Sequence, residues 1–285
     1  MLKSRVMTAV ILLVLLVLAL FALPVSAWTV VVILLVLQGI SEWARLARLT
    51  HIKANLFWWF TLAMMLGLVW LDANYSPAQQ ILAHLLVYAV AALLWLIIVP
   101  TWLMIGWKVE HPLLMMLTGW AVLIPPGLAM LDLRVISPWI LLFIMGLVWV
   151  ADISAYFIGR RFGKNKLAPS ISPGKTWEGV AGALLGVSVY VVLCWSFSFY
   201  FGQPDGFAQH TGFDQRAALP GLLLAAWWWV GLAVIGDLFE SAIKRQAGVK
   251  DSGALLPGHG GLLDRVDALT STLPLAVLAI LLQHN

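Results

Sequence analysis

The chain has 285 residues, 62% hydrophobic and 11% charged, with 16 Trp and a mean hydropathy of +0.96. A soluble protein of 31.3 kDa cannot hide that much apolar surface in one core, so the composition excludes a soluble enzyme and points to an integral membrane protein. The formal net charge of +4 is carried by short loops between apolar runs, which excludes a nucleic-acid footprint; the lone Cys194, inside an apolar run, excludes an internal disulfide or thiolate metal site.

A membrane-crossing helix needs about 20 mostly apolar residues. Nine stretches qualify, near 6–23, 28–44, 55–71, 80–99, 112–131, 136–158, 177–201, 218–238 and 268–283, the last being the weakest by length. They predict an all-α, polytopic membrane protein of about nine transmembrane helices. The first stretch lies in "MLKSRVMTAVILLVLLVLALFALPVSA", whose basic start, apolar body and small-residue end resemble a signal peptide. Its apolar body is long for a cleaved signal and another span follows at once, so a retained helix is expected. With nine spans, all but Arg134 and Arg216 of the 17 Lys and Arg fall on one side. The positive-inside rule then puts the N-terminus and the two basic loops, 160–175 and 244–265, in the cytoplasm, and the C-terminus outside.

The halves differ in character. Residues 1–135 form an N-terminal transmembrane region with few intramembrane charges, and 136–285 a C-terminal catalytic region with cytoplasmic loops, both within a single integrated membrane domain. Asp152, Asp237, Asp264 and Asp267 lie at or inside span ends on the same predicted side. Such residues cost about 2.5–3.5 kcal/mol each on insertion scales, so they mark either function or a paired interior. Local pairing, for instance Asp264 with Arg265, is the plain alternative. The i, i+3 spacing of Asp264 and Asp267 puts them on one face of a helix. Elsewhere, Glu42 reads as a local ion pair with Arg45, His84 and His111 as structural, and Trp227, Trp228 and Trp229 as packing or lipid contact. The outward loop 202–217 is assigned no chemistry.

Carboxylates with few His and no Cys partners suit a hard cation such as Mg²⁺, which takes one or two carboxylates and fills its shell with water and phosphate oxygens. Nearby Lys and Arg supply charge, and glycines let backbone N–H groups approach an anion. "GHGG" (258–261), around His259, and "SPGKTWEG" (172–179), which turns at Pro173-Gly174 and then enters a helix, fit that description. A helix N-terminus near Lys175 and Thr176 is an anion site. It is not a Walker A loop, because Pro169 stands where its first Gly belongs. His259 reads as a turn residue or a proton-handling one.

The run "SAIKRQAGVKDSGALLPGHGGLLDRVD" (241–267) closely resembles the signature of the phosphatidate cytidylyltransferases, the CDP-diacylglycerol synthases, with every element in order and spacing. "ISPGKTWEG" (171–179) and the stretch from Asp152 to Gly163 are also similar to that family. The motif-bearing resemblance covers about 150–267, and the first 130 residues match only as hydrophobic spans. It implies a bacterial-type enzyme of the cytoplasmic (inner) membrane, its active site facing the cytoplasm, converting CTP and phosphatidic acid to CDP-diacylglycerol and pyrophosphate. It implies Mg²⁺, with a second metal ion allowed for, held by Asp237 and Asp264. Asp267, Lys244, Arg245 and His259 join these two as catalytic candidates. Ser172, Lys175, Thr176, Glu178, Lys250, Asp251, Arg265 and Asp152 are the candidates for binding nucleotide or phosphate. The expected partners are CTP, phosphatidic acid and the lipid bilayer, with no nucleic acid and with a homodimer allowed for. The alternatives are a cytidylyltransferase for a related isoprenoid lipid phosphate and, from another class, an ion-coupled transporter; no repeat is visible to favour the latter.

Overall fold

The structure is a computed structural model that describes residues 2–201, 219–255 and 260–284. Its helices are α1 (Leu2–Ala22), α2 (Val25–Leu46), α3 (His51–Asn74), α4 (Pro77–Leu93), α5 (Val99–Ile105), α6 (Pro112–Ile136), α7 (Pro138–Phe162), α8 (Trp177–Phe201), α9 (Leu219–Ala247) and α10 (Leu263–His284). Among the described residues eight helical stretches are long and apolar enough to cross a membrane. The remaining expected span, near 6–23, falls on α1 (Leu2–Ala22). α4 and α5 form one crossing joined by a widened π turn at Leu94–Ile98. Pro100 follows that turn directly and cannot donate a backbone hydrogen bond, so the ladder is relaid there.

Local chemistry marks the helix ends. Proline occupies the first turn of α4, α6 and α7, where its missing N–H costs nothing. Ser76 and Gln79 build a capping box on α4. Gly106 ends α5 at φ +69°, a conformation that suits glycine.

α2, α6 and α10 form the centre of the bundle. Indole donors tie α2 to α6: Trp28 Nε1 donates to the Met130 carbonyl at 3.2 Å and Trp43 Nε1 to that of Met115 at 2.8 Å. α9 lies against α10 through Gly236, where a Cβ would sit 2.7 Å from the Asp267 carbonyl oxygen. The buried Ser271 hydroxyl donates to the Leu232 carbonyl at 2.8 Å across the same seam. Small residues also bring α7 and α8 together, as membrane helices favour. Gly182 packs on Ile158 and Gly186 on Ser154, so the two helices share a long contact. The core runs through both halves of the sequence, from Leu20 to Val277.

Among the described residues a two-stranded sheet lies between α7 and α8. β1 (Lys166–Ala168) and β2 (Ser172–Thr176) pair antiparallel, Lys166 opposite Thr176 and Ala168 opposite Ser172. Pro173 and Gly174 therefore lie in a strand, and the chain turns at 169–171 instead. The expected helix start is where the sequence places it, at Trp177.

Candidate active site

Four basic connections meet at one end of the bundle. Arg48 Nη2, past the end of α2, donates to the Ala247 carbonyl at 2.9 Å. The Gln246 side chain brackets Val109, donating to its carbonyl at 2.6 Å and accepting from its N–H at 3.0 Å. Arg245 Nε reaches the Ile171 carbonyl on the β-hairpin at 3.4 Å, and Lys175 forms an ion pair with Asp237. Arg134 sits at the opposite end, donating to the Leu20 and Leu23 carbonyls. Arg216 lies outside the described residues.

α9 contributes the first row of side chains. Asp237, Glu240, Ser241 and Lys244 recur at helical spacing, so they share a face. Asp237 receives Lys175 from β2, and the Ser241 hydroxyl lies 3.4 Å from its Oδ1. Lys244 is nearly buried between two carboxylates, in an ion pair with Glu240 and 2.6 Å from Asp264 Oδ1. Glu240 is a site residue that the sequence reading passed over. Its signal was present in "ESAIKR", one turn before Lys244 on the same face.

α10 supplies the second row. Asp264 lies in its first turn, where a carboxylate is favoured by the exposed N–H groups. Its Oδ2 accepts from the Gly261 N–H at 2.7 Å, and from the Ser252 N–H and Ser252 hydroxyl, each at 2.9 Å. Its ion-pair partner is therefore Lys244, not the adjacent Arg265 of the plain alternative. Asp267 follows one turn later on the same side. Asp152 and Asp237 are near enough to act on its charge, as is Glu240. Asp152 is exposed on α7, within range of Asp237, Lys175 and Arg265.

Behind these acids, a small cavity with room for about one water molecule is lined by Trp43, Trp95, Phe239, Glu240, Asp267 and Thr270, among others. Glu240 Oε1 and Trp95 Nε1 are buried there without a hydrogen-bond partner.

The loop before α10 is shaped by carboxylates. Glu42 of α2 is fully buried and accepts from the Leu262 and Leu263 N–H groups and the Ser252 hydroxyl, all at 2.9 Å, and from Gln38 Nε2 at 3.0 Å. The ion pair with Arg45 that the sequence suggests is not formed, although the Arg45 guanidinium and the Glu42 carboxylate both border Gly253. Gly260 has φ +81°, and a Cβ on it would fall 2.5 Å from Asp264 Oδ2; one on Gly261 would fall 2.4 Å from Glu42 Oε2. These glycines bring the backbone against protein carboxylates, where the sequence alone suggested a bound anion. Lys250 and Asp251 are exposed on this loop. His259 lies outside the described residues.

On the hairpin side, Thr176 is buried and its hydroxyl accepts from the Gly179 N–H at 3.1 Å, capping α8. Glu178 accepts from the Asn165 N–H at 3.2 Å and from its side-chain amide at 2.8 Å, which closes the hairpin onto α8. Ser172 opens β2 opposite Ala168. Of this group, Lys175 is the residue that reaches the α9 acids.

Five carboxylates, Asp152, Asp237, Glu240, Asp264 and Asp267, thus converge with three cations, Lys175, Lys244 and Arg265. The surplus negative charge, the all-oxygen donor set and the orphaned Glu240 oxygen fit a hard divalent cation. Among the described residues no three such side chains already stand as a metal-holding group. Lys175 and Lys244 cover Asp237 and Asp264 instead.

Comparison with known proteins gives a concordant result. The family model described as "Cytidylyltransferase family" matches residues 3–283. A phosphatidate cytidylyltransferase of Haemophilus influenzae is 38% identical over 292 residues, covering 96% of each chain. One from Pseudomonas aeruginosa is 36% identical over 280 residues, covering 96% of this chain and 95% of its own. One from Thermotoga maritima is 40% identical over 135 residues, or 47% of this chain.

Proposed function

The chain belongs to the cytidylyltransferase family, and from that premise we propose that it is a phosphatidate cytidylyltransferase, joining CTP and phosphatidate into CDP-diacylglycerol with release of pyrophosphate. The observation that carries this reading is full-length similarity to enzymes of that name, in a chain whose signature residues meet at one end of a membrane bundle.

The chemistry suits the residues. A phosphatidate phosphate oxygen attacks the α-phosphorus of CTP, a new P–O bond forms, and the bond to the β-phosphate breaks, with its electrons leaving on pyrophosphate. The nucleophile is already an anion near neutral pH, so it needs little help from a base. The demand is to bring two polyanions together and to offset the charge on the transferred and leaving groups. Lys175 and Lys244, paired with carboxylates here, are placed to turn to phosphate oxygens; Arg245 and Lys250 extend the same positive rim over the hairpin and loop. Asp237 and Asp264 would hold Mg²⁺, which when bound neutralises charge on the phosphoryl groups. Asp152, Asp267 and Glu240 add negative potential that retains the cation and orients the lysines. Thr176 and Glu178 serve the site by fixing the hairpin that carries Lys175.

One reactant is a lipid with its headgroup at the interface and the other is dissolved in the cytosol. A site at helix ends meets both, and the gathering of the basic connections there supports a cytoplasmic orientation in a bacterial inner membrane. The test is purified protein in detergent with CTP, phosphatidate and Mg²⁺, following pyrophosphate. Release that depends on phosphatidate is expected; release that no phosphatidate stimulates overturns the reading.

A further inference from the structure

We propose that Glu42, in the N-terminal half and outside the motif-bearing stretch, is a positioning residue for the reaction, holding the Asp264–Lys244 pair through Ser252. The inference rests on the functional reading above. Its basis is the geometry of one buried carboxylate. Glu42 has no exposed surface, and four donors converge on it, three of them from residues 210 to 221 positions away in sequence.

Two of those donors, the N–H groups of Leu262 and Leu263, belong to the unsatisfied first turn of α10. Glu42 therefore acts as a cap supplied by another helix, and its charge is favoured there by the helix dipole. The third is the Ser252 hydroxyl, whose Oγ lies 2.9 Å from both Glu42 Oε2 and Asp264 Oδ2, so that its single proton is shared between the two carboxylates. Ser252 is thus a bridge: the carboxylate of α2 fixes the hydroxyl, the hydroxyl and its N–H fix Asp264, and Asp264 fixes the Lys244 ammonium at 2.6 Å. Gly253 and Gly261 leave space for the Glu42 carboxylate on either side, where a Cβ would approach its oxygens to 3.0 and 2.4 Å. A local packing role for Glu42 would require neither these glycines nor a shared hydroxyl.

The test compares E42Q, S252A and the E42Q/S252A double variant in detergent, measuring kcat and KM for CTP, melting temperature, and hydrogen exchange at residues 252–263. Glutamine keeps the volume but sets an amide N–H against α10 N–H donors. Each single variant is expected to lower kcat by about 10–100-fold, the scale for removing a partner that orients a reacting group. KM for CTP should change far less, as should the melting temperature of S252A; E42Q should melt lower because its amide faces buried N–H donors, so its kcat is taken per folded molecule. The double variant is expected to fall no further than the worse single one, because both act through one bridge. Exchange at Leu262 and Leu263 should rise in E42Q. Wild-type kcat in E42Q, or losses that multiply in the double variant, overturns the proposal. If E42Q does not fold, S252A decides alone, and wild-type turnover in it is the overturning result. If the wild-type protein transfers no cytidylyl group, the functional reading fails by itself; the exchange data still test the anchoring, and unchanged protection in E42Q overturns it.

Discussion

The two ends of the bundle each hold a cluster of ionisable side chains, and they differ in how completely those charges are used. At the end opposite the active site, His84 of α4 sits between two acids, with Nε2 3.0 Å from Asp72 Oδ1 and Nδ1 2.9 Å from Asp132 Oδ2. The Tyr88 hydroxyl donates to Asp132 at 2.6 Å. Two acids, one imidazole and one phenol close on each other. At the active-site end, five acids meet three cations, one carboxylate oxygen is orphaned, and the partners come from a hairpin and a loop as well as from helices. Burial charges the same penalty at both ends. A cluster drawn only from packed helices holds those helices together, whereas one assembled from helices, a hairpin and a loop has capacity for a ligand.

That contrast can be broken by substitution. The largest effect is expected from D264N and D237N, which should insert normally yet lose turnover of labelled CTP by on the order of 10²–10³-fold, the scale for removing one preorganised electrostatic contact. An Asp264→Asn protein with wild-type turnover would remove the metal assignment. K175A should come next, lowering kcat/KM about 10–100-fold with little shift in melting temperature, because its partner Asp237 keeps 29% of its side chain exposed. H84A should reverse the pattern. It leaves Asp72 and Asp132 facing each other and should cost about 1–3 kcal/mol of stability, read as a lower melting temperature, with turnover per folded molecule nearly unchanged. A large loss of turnover in H84A without destabilisation would dissolve the distinction between the two ends. The smallest effect is expected from E178Q, whose exposed contacts to Asn165 should be worth less than about twofold in turnover.

How legible this site was depends on the residue. Asp237, Asp264 and Asp267 announce themselves, because a charge at or inside the end of an apolar span is costly and the i, i+3 spacing of the last two puts them on one face; Lys244 entered through the family resemblance. Lys175 was visible as a basic residue, but its approach to Asp237 depends on a strand where the sequence suggested a turn at Pro173-Gly174. Glu42 was misread as a partner of Arg45 because the nearest opposite charge in sequence is the only candidate a linear reading offers. Asp72, His84 and Asp132 each lie near a span end in residues 1–135, and only packing shows them meeting.

The sequence by itself determined the medium and the architecture. Mean hydropathy and the length of the apolar runs leave no alternative to membrane-spanning helices, because backbone polar groups must be satisfied within each segment. It also determined which stretch carries the chemistry, since a polar run in such a chain needs a reason to persist. The tertiary structure decided the partners. Whether a buried acid meets an ammonium, a backbone N–H or another acid depends on which helices pack side by side. Those contacts span 210 residues for Glu42 and Ser252, beyond the reach of any local spacing rule.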